Sequence, residues 1–275
     1  VGTGRFFDDD DRTDATQQSF YGIKEPMELI KPVSGNPYMK FLGGEVVAPT
    51  AHGDTSAARS WPVATNPSGS KGLLKVDEIR VAQAKTPSLA ALSCRGSNTL
   101  DCIPSSMVTA SKTTLADLTS YIAGPDPAAD PDHLYNSTDG WYVDYFPYGK
   151  RERNLGQATL FGGLVTFTTY QPFLDPCQAE GKAFLYTLYY QTGTAWHEAI
   201  FGDVYGLYTD EGTVREKMDL GRGLSTTPNL HVSGDGDSVT AMVQTSTGVI
   251  VEQKMDEMAT DNYFTGRTGW KECTE

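Results

Sequence analysis

The sequence predicts a mainly β fold: a partial, β-propeller-like array of antiparallel blades with an inserted region of mixed α/β or loop-rich character. Three observations lead there. Turn formers are frequent, with 28 Gly and 15 Pro in 275 residues, above average usage. Thr (31 residues), Tyr (14) and Phe (11) supply the β-branched and aromatic side chains that strands favour. From Trp141 onward, short apolar runs alternate with Gly-containing turns, as in strands joined by tight connections.

Composition divides the chain into residues 1–25, the start of the propeller-like segment, 26–139, an insertion to which helix is confined, and 140–275, the blades. In the first region, Ser19-Phe20-Tyr21-Gly22-Ile23 alternates as a strand. In the second, residues 72–81 fit helix and strand equally poorly. Leu115, Leu118 and Ile122 recur at helical spacing, with Ser111 as the expected cap and Gly124-Pro125 as the stop. Residues 124–132, rich in Pro, Asp and Ala, read as an exposed loop. In the third, Gly140-Trp141-Tyr142-Val143-Asp144 reads as a strand, and residues 159–169 read as a hairpin turning at Gly162-Gly163. Residues 183–191 form a further apolar run. Residues 226–245 repeat the strand–turn–strand plan, and 247–251 add another strand. The plan recurs after about 70 residues, longer than the roughly 40–50 of common propeller repeats, so an insertion between blades is expected. A β-sandwich is the alternative arrangement for the same pattern.

Charge removes several function classes. With 22 Lys+Arg against 35 Asp+Glu, the net charge of −13 repels phosphate backbones and anionic lipid surfaces. Nucleic acid is therefore not expected as a partner. No apolar run approaches the roughly 20 residues that cross a bilayer as a helix. The four cysteines are even in number and lack C-x-x-C spacing, and the histidines lie far from them, so zinc is not expected. Cys94 and Cys102 flank a turn-like stretch that a disulfide would close; Cys177 and Cys273 then pair by elimination, although four cysteines allow three connectivities. Such pairing belongs to an oxidising, extracellular or cell-surface compartment. With Val1 in place of Met and no signal-peptide pattern, a chain processed or cut from a longer one is the expectation.

Chemistry-bearing motifs are sparse. The run Asp8-Asp9-Asp10-Asp11-Arg12-Thr13-Asp14 offers hard oxygen ligands for calcium but lacks the order of a calcium loop, so a solvated loop is the expectation. Asp235-Gly236-Asp237 reads first as a hairpin turn. No cofactor is expected, calcium being the one ion these segments suit. His52, His133, His197 and His231 are scattered, and no G-x-S-x-G or H-E-x-x-H occurs. Asp203 with Asp210 is one of many acid pairs that glycosidase chemistry could use. Trp61, Trp141, Trp196 and Trp270 read as core anchors, and of Tyr186, Tyr189 and Tyr190 one is expected to face water.

Four segments resemble a known family. Gly2-Thr3-Gly4-Arg5 followed by Gln18-Ser19-Phe20-Tyr21-Gly22-Ile23 resembles the GTGR…QSFYGI pair of the PilY1 family of type IV pilus-associated proteins. Gly140-Trp141-Tyr142-Val143-Asp144 and Gly149-Lys150-Arg151-Glu152 resemble its GWYIDL…GER segment. Residues 161–177, ending in Asp175-Pro176-Cys177, are similar to its strand–turn–strand ending in DPC, and Gly266-Arg267-Thr268-Gly269-Trp270-Lys271-Glu272 to its closing GR-x-x-WRE. The matches come in family order, and residues 26–139 match none. The resemblance implies the later part of a propeller and a non-enzymatic, extracellular adhesion or biogenesis factor of the pilus. The partners it implies are minor pilins or the pilus tip, and a host or abiotic surface. Two alternatives stand beside it: a self-assembling filament subunit polymerised through a donated N-terminal strand, and a secreted polysaccharide-active enzyme on a propeller scaffold.

Overall fold

Alternation of side chains across strands, rather than helical periodicity, organises most of the chain. The structure, a computed structural model, describes residues 1–4, 10–23, 27–30, 38–41, 73–123, 140–175, 181–201, 212–232 and 239–255. In chain order come helix α1 (Asp10–Thr13), strand β1 (Ser19–Ile23) and the hairpin of β2 (Met27–Ile30) and β3 (Tyr38–Phe41). Next are β4 (Leu73–Lys75), β5 (Ile79–Val81), β6 (Leu92–Cys94), α2 (Ser105–Thr109) and α3 (Leu115–Ala123). Then follow β7 (Gly140–Asp144), β8 (Arg153–Asn154), β9 (Thr159–Phe161), β10 (Leu164–Pro172) and β11 (Gly181–Tyr189). The last are β12 (Lys217–Arg222), β13 (Asn229–Val232), β14 (Val239–Gln244) and β15 (Ile250–Met255).

The strands form separate sheets: β1–β7–β4, β12–β11–β10–β8 with β9 beside β10, β13–β14–β15, and the hairpins β2–β3 and β5–β6. All pairings are antiparallel except β4, which runs parallel to β7. No barrel closes among the described residues. The fold is mainly β, an open, partial propeller-like set of antiparallel sheets.

Local chemistry explains the boundaries. Gly162 and Gly163 have φ of 56° and 79°, the doubly positive turn whose twist matches a two-residue hairpin. The segment expected as a strand over 247–251 instead turns at Gly248 (φ 84°), and β15 begins at Ile250. Residues 72–81, ambiguous by pattern, make two short strands, β4 and β5, joined by a turn at Asp77-Glu78. Ser111 is not the cap of α3. It sits at φ 56°, before the helix begins. Thr114 takes the role: its Oγ1 accepts the Asp117 N–H at 3.3 Å, while Asp117 Oδ2 accepts the Thr114 N–H at 3.1 Å, a reciprocal capping box. Helix α1 lies outside the region to which helix was assigned.

The five-stranded sheet is buried on both faces. Strand β11 directs Ala183 and Leu185 into one apolar cluster and Phe184, Tyr186 and Leu188 towards the other, as the two-residue strand period requires. That explains the nearly unbroken apolar run over 183–190. One cluster joins Phe167, Tyr186 and Leu188 to Phe20, Trp141 and Val143 and to Ile79, Leu92, Leu115 and Leu118. Residues 73–123 thus share a core with the strands on either side of them in sequence. The other cluster joins Leu164, Leu185 and Met218 to Val239, Ala241, Val243 and Met255 of the β13–β14–β15 sheet.

Trp141 fastens the first cluster. Its indole N–H donates to the Tyr190 carbonyl at 2.8 Å. A Cβ added at Gly22 or at Gly193 would come within 2.2 Å of the ring, so both backbones lie directly against the indole. Phe20 stacks on Phe167 with centroids 4.0 Å apart, and Phe167 stacks on Tyr186 at 5.1 Å. This ladder carries the β1–β7–β4 sheet onto the five-stranded sheet. The first residues are paired within the chain: Thr3 N–H donates to the Ser19 carbonyl at 2.9 Å, Tyr21 N–H to the Val1 carbonyl at 2.8 Å, and Asn154 N–H to the Thr3 carbonyl at 3.1 Å. The described N-terminal residues are thus paired with β1 and β8 of their own chain.

Trp141→Ala is expected to lower the free energy of unfolding by about 3–5 kcal/mol, the cost of truncating a large buried aromatic. Gly193→Ala should cost about 1–3 kcal/mol through overpacking against the indole, with added strain from its φ of 70°. Urea midpoints of the two variants check both.

Candidate functional site

Of the acidic N-terminal run, the described residues Asp10–Thr13 form helix α1 rather than a loop, with Asp10 exposed and the Asp14 side chain 41% exposed. Asp11 is buried. Arg153, 1% exposed, donates from Nη2 to the Asp11 carbonyl and to the Asp14 carbonyl at 2.8 Å, and lies 3.6 Å from the Asp14 carboxylate. The chain thus supplies its own cation to the segment that reads as a cation site. Asp14 is held below the usual carboxylate range first by hydrogen bonds from the Thr16 side chain and backbone, with Arg153 adding to them. Asp8, Asp9 and the Asp235-Gly236-Asp237 turn lie outside the described residues, as do His52, His133, Trp61, Trp270, Asp203, Asp210, Cys177 and Cys273.

The remaining sequence candidates are dispersed. His197 is buried with Nδ1 2.7 Å from the Ala84 carbonyl, and His231 sits on β13. Trp196 packs between Tyr189 and His197, at 4.3 Å from each ring. Tyr186 is buried and Tyr190 is 42% exposed. Cys94 and Cys102 are joined in a disulfide with Cα atoms 5.7 Å apart.

Two charged clusters have no counterpart in the sequence reading. In one, Glu152, 3% exposed, accepts the Lys217 ammonium at 2.5 Å and the Thr169 hydroxyl at 2.5 Å. Lys217 also donates to the Phe146 carbonyl at 2.8 Å and lies 4.0 Å over the Phe184 ring. Burial lowers the Lys217 pKa, with Glu152 opposing. Burial, then the Glu152 charge, raises the Tyr145 and Tyr186 phenols well above their usual range.

The other cluster borders an open cleft of about 830 Å³ beside the disulfide, whose walls include Lys75, Asp77, Glu78, Asp101, Cys102 and Tyr121. Lys75 Nζ lies 3.2 Å from Asp144 Oδ2 and 3.7 Å from Asp77 Oδ2. The Tyr148 hydroxyl donates to Asp77 and lies 3.0 Å from Glu78 Oε1. The Ser19 hydroxyl donates to Asp144, its neighbour in the β1–β7 register. Burial pushes Asp77 up to about 6, partly offset by the Tyr148 hydrogen bond and the Lys75 charge. Tyr148 is raised too, by burial first and then by its bond to Asp77. Sequence signals for this cluster were Lys75-x-Asp77, which places both on one side of an extended segment, and Asp144 inside the Trp141 strand. Neither says which carboxylate meets which cation, because β4 and β7 are brought together from far apart in the chain.

Fold and site together define a β-rich chain of mostly antiparallel sheets with internally compensated charges and an acidic cleft beside the disulfide. No family model and no curated protein matches the chain. The crystal structure of the Pseudomonas aeruginosa PilY1 C-terminal domain superposes with a TM-score of 0.45 at 16% identity, covering 93% of this chain and 40% of that one.

Arg153→Met should remove the hydrogen bonds to the Asp11 and Asp14 carbonyls, at about 1–3 kcal/mol in all. Faster hydrogen exchange across residues 10–16 and a lower urea midpoint are the expected readouts. Asp77 should titrate with a midpoint near 6 in a carboxyl NMR experiment. Its folded pKa is raised, so the native state holds the proton longer than the unfolded chain. The Asp77 contribution to stability therefore falls as pH rises from about 4 to about 6.

Proposed function

We propose that this chain is a non-enzymatic portion of an extracellular, type IV pilus-associated protein that acts in adhesion or pilus biogenesis. The observation that supports this is the convergence of the family-like segments. Gly2 and Gly4 lie against Asn154 and Arg153, just after the Gly149-Lys150-Arg151-Glu152 segment. Gly22 of the Ser19–Ile23 strand lies against Trp141, and Gly140 packs on the Gly22 carbonyl. Residues that are far apart in sequence and carry the resemblance therefore build one seam, in which a Cβ at any of these glycines would collide with another matched segment or its immediate continuation. Short motifs that coincide by chance have no reason to interlock in this way. The function follows from the resemblance: minor pilins or the pilus tip as partners, and a host or abiotic surface as the adhesive target, with no cofactor required.

A second reading, a secreted polysaccharide-active enzyme, draws on the cleft. Asp77 lies in its wall with a carboxyl raised to about 6, in the range that suits a general acid. One paired experiment separates the two. The purified chain is measured for binding to immobilised minor pilins and for turnover of a glycan panel. Saturable pilin binding without turnover is the expected result. Turnover that disappears in Asp77→Asn would replace the adhesion reading with the enzymatic one.

A further inference from the structure

Lys75 stands between two carboxylates that separate parts of the chain bring to it. It ends β4, which pairs with β7 over only three positions, Leu73 with Gly140 through Lys75 with Tyr142. Asp144, two residues beyond Tyr142, and Asp77, two beyond Lys75, are 4% and 5% exposed. Both are held in place, Asp144 by the Ser19 hydroxyl and Asp77 by the Tyr148 hydroxyl, and the Lys75 nitrogen lies 4.9 Å from the Tyr148 ring centre. Two buried carboxylates against one ammonium leave an excess negative charge that such surroundings disfavour. A proton on Asp77 removes that excess, in line with its raised pKa. What remains is a lysine in contact with one carboxylate and next to one carboxylic acid.

We propose that Lys75 and Asp144 condense into an intramolecular isopeptide bond, with Asp77 as the acid–base group. The Asp77 carboxylic acid gives its proton to one Asp144 oxygen, and the carboxylate it becomes takes a proton from Lys75 Nζ, whose freed lone pair attacks Asp144 Cγ to form the C–N bond. The second proton lost from nitrogen follows to the same oxygen, which leaves as water when the C–O bond breaks. One ammonium and one carboxylate become one amide and one water, and no oxidant, reductant or cofactor takes part. The contact in the folded chain replaces a bimolecular encounter, an advantage equivalent to effective molarities of about 10⁵–10⁸ M in well-oriented cases. Loss of both charges also ends the desolvation cost of keeping them paired. The Lys75 side chain is 33% exposed, which opens a route for the water. The product ties the three-residue strand β4 covalently to the Trp141 strand, at the border of the cleft that the disulfide also lines. Lys217 provides an internal control. Among the described residues only Glu152 lies within ion-pair distance of it, Glu216 and Asp219 acting on it as more distant charges, so no second carboxyl is in contact and it stays ionic.

Intact-mass measurement of the full chain, reduced and denatured after purification as a folded protein, tests this. The expected mass is about 18 Da, one water, below the sequence value, with peptide mapping showing a branched peptide that joins Lys75 to Asp144. Lys75→Arg and Asp144→Ala should restore the full mass. Asp77→Asn, checked for folding by circular dichroism, should slow or abolish the loss. A folded wild-type chain at full mass overturns the proposal whatever the variants do. So does a loss of water mapped elsewhere, for example to cyclisation at Asp235-Gly236. Bond formation at an unchanged rate in Asp77→Asn overturns the role given to Asp77.

Discussion

The contact between the Trp141 indole and the bare backbones of Gly22 and Gly193 is the constraint on which the other arrangements rest. An aromatic ring that close to main chain allows no side chain at either position, and it sets the separation between β1, β7 and the turn after β11. Once that distance is set, Phe20 falls on Phe167, Phe167 on Tyr186, and the aromatic ladder crosses from one sheet to the next. The N-terminal residues can then reach β8, and Arg153 beside them can reach back to the acidic turn. The core is a sequence of geometric consequences as much as a pool of apolar area.

Buried charge follows a second rule. The chain carries 13 more acids than bases, yet the buried or half-buried cations Arg80, Arg153, Lys75 and Lys217 each face a carboxylate. Arg80 and Arg95 converge on Glu216, and Arg95 also lies 4.0 Å from the centre of the Phe146 ring. Such pairs contribute little net stability compared with an apolar replacement, because desolvation offsets their attraction, but losing one partner is costly. Their effect is on uniqueness. Each pair joins segments distant in sequence, and an alternative packing leaves a charge stranded.

The elements that depend on neighbouring residues were legible before any coordinates. Gly162-Gly163 makes a hairpin because only residues free to adopt positive φ form that turn, and Leu115, Leu118 and Ile122 bury one helical stripe at the spacing the periodicity indicates. Errors appeared where a local rule had competitors. Ser111 and Thr114 are both plausible caps, and the one with Asp117 three residues ahead wins because its box satisfies two donors. Asp11 looked solvated because the bases near it in sequence are Arg5 and Arg12 alone; the cation that reaches the Asp11 and Asp14 carbonyls, Arg153, is contributed by a strand more than a hundred residues away. The carboxylates around Lys75 were invisible for the same reason.

Composition and period alone therefore settle the β character, the Gly-Gly hairpin and the α3 stripe, since each is decided by torsional preference and by which side a residue faces within a few positions. Tertiary structure alone decides that residues 73–123 share the core of the flanking strands, that Trp141 rests on two glycines, and that Asp77, Asp144 and Lys75 meet. Those outcomes depend on which strand lies beside which, and strand pairing over long separations is set by the simultaneous packing of many side chains, information that no single stretch of the chain contains.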